Sequence, residues 1–369
     1  MVTPPQSPKL TVNRYISGKW CTNVCFLLGI LALLIIALIV VQSKSVTPYD
    51  EAERSTDRVE DSFSMSNTDV VALNRGGIPD TKSKWSWSAL GGLKQETIKC
   101  RKDAFLLILI TSSPENFVKR QGIRKSYCNK KQTEAIGGVT CNWQCVFLIG
   151  KTDKYTINKN LKKESAISRD LLFGNYLDSY RNLTLKVLHG LRWSSEECHA
   201  KYILKTDDDC FINTPILSQF LLYENTLTKG LYAGHVFVEQ QHREVVRGNP
   251  KFNKWAVSDQ DFKEQYYPEY VSGTGYVLSC DVVEDILSLV PKVPPFVNED
   301  AYIGTLVHKL GISPVKSGRF SLQNKWKTCN FLYFFSIHGV GIETQAEMLG
   351  QVARARKTCH SGEEVKSWR

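Results

Sequence analysis

The chain has 369 residues, 42% of them hydrophobic, and 47 Lys and Arg against 37 Asp and Glu give a formal net charge of +10. That is enough apolar material for one large domain or two modest ones. The basic residues are scattered, with no dense run interleaved by aromatics, so nucleic acid is discounted as a partner; the mild positive charge suits anionic nucleotide-sugars and membrane surfaces.

The first element is apolar. Val24–Val41 reads VCFLLGILALLIIALIVV, inside an uncharged window from Trp20 to Gln42, which predicts one transmembrane helix over 21–42. Lys9, Arg14 and Lys19 precede it, and Asp50, Glu51 and Glu53 follow. The positive-inside rule then leaves residues 1–20 as a cytoplasmic tail and the bulk of the chain luminal. No Ala-x-Ala site follows closely, so the span is expected to stay as a signal-anchor. Residues 43–98, rich in Ser, Thr, Asp, Glu and Gly, predict a flexible stem, and 99–369 a luminal catalytic domain.

Of the 11 cysteines, Cys21 and Cys25 lie in or beside the span. An oxidising lumen favours disulfides among Cys100, Cys128, Cys141, Cys145, Cys198, Cys210, Cys280, Cys329 and Cys359. That odd set leaves at least one free or paired with another chain, and a homodimer stays open. Cys141-x-x-x-Cys145 has no second pair at zinc spacing and reads as structural. Asn182-Leu183-Thr184 is the one N-glycosylation sequon.

Within 99–369 the pattern alternates. Ala104–Ile110 is a continuous apolar run of the kind found in a buried central strand. Pro114 opens a helical segment through Arg120 and Arg124, and Val146–Ile149 is a second strand. Leu161–Tyr180 and Asn182–Cys198 show helical spacing, and Tyr202–Leu204 is a third strand. This alternation predicts an α/β domain with a mostly parallel central sheet. Further on, 215–224 reads as a helix and Leu231–Val238 as a strand. Tyr266–Leu278, YYPEYVSGTGYVL, combines aromatics with Gly273 and Gly275, where backbone could approach a ligand and rings could stack on sugars. Val297–Leu310 reads as a helix with Asn298 as N-cap, placing Glu299 and Asp300 in its first turn.

The chemistry centres on Lys201–Asn213, KYILKTDDDCFIN. Asp207, Asp208 and Asp209 stand between two apolar anchors, where like charges raise one another's pKa. A hard divalent ion such as Mg²⁺ or Mn²⁺ relieves that repulsion and in turn suggests a phosphate-bearing substrate. The position after a short strand is where α/β sheets bind ligands.

Several stretches together resemble one family in register. KTDDDCFIN, YPEYVSGTGYVLS and NEDAYIG, preceded by RQGIRKSY and NLTLKVLHGLRW, look like the β-1,3-galactosyltransferases and β-1,3-N-acetylglucosaminyltransferases of glycosyltransferase family 31. The resemblance runs from about Lys99 to at least His338. It implies a GT-A, Rossmann-like fold, a UDP-sugar donor, Mn²⁺, inversion at the anomeric carbon and a Golgi type II enzyme acting on a glycolipid or glycoprotein glycan. It places Asp209, Asp207 and His338 on the metal. Arg120, Arg124, Lys205, Asp207 and Asp208 fall on the donor side, and Asp300 becomes the catalytic base. Tyr270, Gly273, Gly275 and Glu299 fall around the sugars. Galactose is preferred over an N-acetylhexosamine as the transferred sugar. Two departures stand out: Pro268-Glu269-Tyr270-Val271 replaces Pro-Pro-Tyr-Cys, and Tyr127 stands where the family usually has Trp. A metal-dependent hydrolase would need further His and Asp clusters, which are not evident. A non-catalytic glycan receptor would have no need of all four aspartates.

Overall fold

The computed structural model describes residues 87–101, 104–138, 142–249, 253–359 and 366–369, all within one compact unit, Met65–Arg369. The expected transmembrane span and most of the expected stem lie outside these residues. No helix among the described residues is long and apolar enough to cross a membrane.

Leu106–Thr111 (β1), LLILIT, is buried along its whole length, as a strand covered on both faces must be. It pairs in parallel with Trp143–Lys151 (β2) on one side and Tyr202–Asp207 (β4) on the other. Leu171–Leu177 (β3) extends the sheet beyond β2, again in parallel. Beyond β4 come Tyr270–Ser279 (β7), Tyr232–Phe237 (β6) and Val315–Lys316 (β8), giving the order β3-β2-β1-β4-β7-β6-β8. Only β7 runs against its neighbours, so the sheet is mostly parallel, as expected.

Side chains alternating along β1 divide the core. Leu107 and Leu109 join one cluster with Leu183–Trp193 (α4), Cys280–Leu289 (α6) and Glu299–Lys309 (α7). Leu106, Ile108 and Ile110 join the other, with Phe117–Lys125 (α1), Thr214–Tyr223 (α5) and Ile342–Thr358 (α8). Helix α4 rides close to the sheet at Gly190, where a Cβ would stand 2.7 Å from a methyl of Leu148. Lys130–Gly137 (α2) and Tyr155–Ser168 (α3) complete the crossovers between the first strands. A second, three-stranded sheet is formed by Cys210–Ile212 (β5), Ser336–His338 (β10) and Phe320–Ser321 (β9).

Two expectations need correction. The helical reading of Leu161–Tyr180 covers the end of a helix and a strand. Helix α3 stops at Ser168, Arg169 turns left-handed at φ 53°, and β3 follows. Ordered packing begins earlier than Lys99, because Leu90 and Ile98 are both enclosed in the first core cluster. Gly273 and Gly275 lie inside β7.

The disulfides join Cys100 to Cys198, Cys128 to Cys145 and Cys329 to Cys359. Cys210 and Cys280 are free thiols, while Cys141 lies outside the described residues. Cys145 is thus structural, through Cys128. The Asn182 side chain is buried and its Nδ2 donates to the Leu177 carbonyl at 2.9 Å. A glycan at Asn182 does not fit this packing, which corrects the sequon reading.

Candidate functional site

Strands β1 and β4 end side by side, with Thr111 opposite Asp207 in the parallel register. The acidic triplet therefore emerges at the carboxyl edge of the sheet, where peptide groups and loops are free to meet a ligand. Its three carboxylates face different partners. Asp208 is buried and accepts from Ser112 Oγ at 2.8 Å, Asn116 Nδ2 at 2.8 Å and Lys119 Nζ at 2.9 Å. It pins the turn to the loop after β1, a correction to its expected place on the donor. Asp207 turns Oδ1 to Thr111 Oγ1 at 2.5 Å and Lys205 Nζ at 2.9 Å.

Asp209 meets His338. Strand β10 pairs antiparallel with β5, setting His338 opposite Cys210, and Val340 N donates to the Asp209 carbonyl at 2.7 Å. The His338 Nε2 and Asp209 Oδ2 atoms stand 3.8 Å apart, with both side chains partly exposed. His338 Nδ1 lies 3.2 Å from the Leu322 carbonyl. Since a carbonyl only accepts, Nδ1 is the donor in that contact, which turns Nε2 toward Asp209. One nitrogen and one carboxylate at this separation fit a borderline to hard divalent ion. No group of three or more His, Cys, Asp or Glu suited to a metal occurs among the described residues. Asp207, expected as a further ligand, is instead held by Lys205 and Thr111.

On the other side of β4 is a buried charge cluster. Lys205 Nζ contacts Asp207, the Gly273 carbonyl at 2.6 Å and Glu299 Oε2 at 3.1 Å. Burial alone would lower the Lys205 pKa, yet the Asp207 and Glu299 carboxylates outweigh it and raise it. Lys205 is therefore a fixed internal cation rather than a ligand for the donor, which corrects its expected placement. Glu299 accepts from the Tyr276 hydroxyl at 2.5 Å. Burial pushes its carboxyl up to about 7 against the pull of Lys205.

Asp300 is next. Its Oδ2 accepts from Gly273 N at 3.0 Å and its Oδ1 from Ala301 N at 2.9 Å. Burial raises its pKa, and those backbone donors and Lys205 temper the rise. A Cβ at Gly273 would lie 3.3 Å from Asp300 Oδ2 and 3.4 Å from Glu299 Oε2. The glycine thus admits the protein's own carboxylates, where the sequence suggested a ligand. Gly275 likewise faces protein, with Ser336 Oγ 3.3 Å and Phe320 3.4 Å from where its Cβ would be. Tyr270 packs on Phe237 and Tyr267; burial and then the charge of Asp300 raise its hydroxyl pKa. Through Lys205 and Gly273, the acidic turn and Asp300 are therefore parts of one site.

Arg120 and Arg124 are not. Arg120 is wholly buried, donating to both oxygens of Glu164 at 2.8 and 2.7 Å and to the Ser113 carbonyl at 2.6 Å. Arg124 donates to Glu164 at 2.7 Å and to Asp170 at 2.7 and 2.8 Å. These guanidiniums lock α1 against α3 and the start of β3; their expected role on donor phosphates is corrected. The sequence reading missed Lys119, whose signal was only its place beside Arg120. It also missed Lys186, whose Nζ bonds Asp178 at 2.7 Å and the Ser112 carbonyl at 2.8 Å.

With that geometry in place, comparison gives a consistent picture. Residues 118–317 match the family described as Galactosyltransferase. The chain is similar to beta-1,3-galactosyltransferase 1 of Homo sapiens, 34% identical over 258 residues, 68% of this chain and 75% of the relative. It is similar to beta-1,3-galactosyltransferase 9 of Homo sapiens, 32% identical over 66% of this chain and 64% of the relative. For beta-1,3-galactosyltransferase 5 of Mus musculus the figures are 32% identity, 65% and 77%. Among solved structures, galactosyltransferase LgtC in complex with donor and acceptor sugar analogs aligns at a TM-score of 0.33, with 10% identity over 66% of this chain and 95% of that one.

Proposed function

The chain belongs to the galactosyltransferase family, and from that premise we propose that it moves galactose from UDP-galactose to a glycan hydroxyl in β-1,3 linkage, with inversion, on a GT-A scaffold. The observation that carries this reading is the meeting of the Asp207–Asp209 turn and Asp300 through Lys205 and Gly273.

Asp300 takes the proton of the acceptor hydroxyl. The acceptor oxygen then bonds to C1 of the galactose while the bond from C1 to the diphosphate oxygen breaks, and UDP leaves with that electron pair. No covalent enzyme intermediate is needed, since attack and departure occupy opposite faces of C1. His338 and Asp209 would hold Mn²⁺, whose role is to neutralise charge on the departing diphosphate. Asp207, fixed by Lys205 and Thr111, is left to face the donor's ribose. Lys119 adds a partly exposed cation beside the turn. Glu299, buried under Asp300, keeps Lys205 in place. Tyr270 lies on the sugar side, close enough to Asp300 to feel its charge.

We further propose a Golgi type II membrane enzyme with its catalytic domain in the lumen, on the strength of the uncharged 20–42 window and the charges that flank it. The test is to offer the purified protein a panel of UDP-sugars with Mn²⁺ and mixed glycan acceptors. UDP-galactose should be the donor consumed, and EDTA should abolish turnover. Activity that survives EDTA removes the metal from the mechanism, and transfer from UDP-N-acetylglucosamine alone overturns the choice of sugar.

A further inference from the structure

Beside Asp300 stand aromatic side chains that the transfer chemistry does not use. Trp255 and Tyr180 are 48% and 40% exposed. Lys254 Nζ lies 4.8 Å from the Trp255 ring centroid and 4.6 Å from that of Tyr180. The two rings therefore border one spot on the surface.

Trp255 is held there by its backbone. Its N–H donates to Asn253 Oδ1 at 3.0 Å, and Val257 N donates to the Val246 carbonyl at 3.0 Å. The Trp255 carbonyl accepts from Asn298 Nδ2 at 3.2 Å, and the same Nδ2 lies 3.2 Å from the Tyr267 hydroxyl. Asn298 sits two positions before Asp300, in a left-handed conformation at φ 75°. The Trp255 backbone is thus tied to the residue that leads into the helix bearing Asp300. Tyr180 is tied electrostatically: burial, then the charge of Asp300, push its hydroxyl up to about 12, a hydrogen bond with Trp255 opposing them. Two half-exposed rings joined through one hydrogen bond and one cation, on the segment that leads into Asp300, offer an amphipathic surface of the kind sugar rings stack on.

We propose that Trp255 and Tyr180 form the subsite that receives the acceptor sugar. The ligand class is a pyranoside presenting a face of C–H groups to the rings, with its hydroxyl edge toward Asp300. Lys254, now over both rings, shifts aside and donates to the hydroxyls of the same sugar. This inference rests on the reading of Asp300 as base, since it fixes which side of the site the acceptor enters.

The test uses the full chain and the methyl β-glycosides of galactose, glucose, N-acetylglucosamine and N-acetylgalactosamine. Trp255→Ala and Tyr180→Ala should each raise the acceptor KM about tenfold, with the UDP-galactose KM moving by less than about twofold. Trp255→Phe should recover part of the loss. Saturation-transfer NMR reads the same contact without turnover: the C–H signals of the best-bound glycoside should weaken in Trp255→Ala. An unchanged acceptor KM and undiminished NMR transfer overturn the subsite, as does an equal rise in the donor KM. Neither result touches the role of Asp300, which stands or falls on Asp300→Asn.

Discussion

Asp300, the base of the proposed transfer, is a carboxylate held between two opposing influences. Burial raises its affinity for a proton, while Gly273 N, Ala301 N and Lys205 keep the ionised form within reach. Asp300→Asn keeps the shape but cannot take a proton, so kcat should fall by roughly 10²–10⁴-fold while UDP binding measured by calorimetry stays near wild type. Because the pKa is raised above its usual 3.8, the base is lost earlier on acidification. kcat/KM should therefore decline as pH falls, with a half-point above 3.8, and Asp300→Glu should move that half-point. Gly273→Ala tests the neighbouring constraint. Its methyl would press on Asp300 Oδ2 at 3.3 Å, so turnover should drop at least about tenfold for a stability loss of only about 1 kcal/mol by chemical denaturation. At this scale the triplet and the Asn-Glu-Asp at a helix start were legible in the sequence, because they are local patterns. It could not show that Asp208 faces Ser112, Asn116 and Lys119, or that Lys205 is an internal cation, because those partners arrive from distant segments.

Elements reach the site by their ends. The apolar runs of β1, β2 and β4 were readable, as a central parallel strand advertises itself by having no polar face. Strand β3 was hidden, because LLFGNYL follows a helical pattern with only Arg169 and Asp170 between them. Helix α8 was overlooked, and α1 carried the most misleading motif. Its two arginines have the spacing of an exposed pair, yet Arg120 is enclosed with Glu164. Arg120→Met removes one partner and leaves the Glu164 charge buried with only Arg124 to balance it. Unfolding by urea should show a loss of about 3–5 kcal/mol. The double change Arg120→Met with Glu164→Leu should regain a large part of that loss, which separates a packing role from contact with a substrate.

Across the molecule, the central sheet divides two cores, and both must close before the site is complete. The late segment that delivers His338 is fastened by the Cys329–Cys359 disulfide, which closes a loop with a sequence separation of 30. Cys329→Ser with Cys359→Ser should cost about 2–4 kcal/mol in thermal or denaturant unfolding. It should also weaken Mn²⁺ activation more than it alters the donor KM, because β10 lies inside the closed loop. Cysteine positions alone left the pairing open, since connectivity is decided by which segments the sheet brings together.

The pairing of β5 with β10 also sets an order of events. Asp209 is synthesised 129 residues before His338, its partner across the β5–β10 pairing. All seven strands of the central sheet precede β10 in the chain, so a nascent chain can present the whole sheet before the proposed Asp209–His338 ion site exists. On the proposed mechanism, competence for catalysis therefore comes last in biosynthesis, and a premature stop before β10 would remove both the histidine and part of the second core.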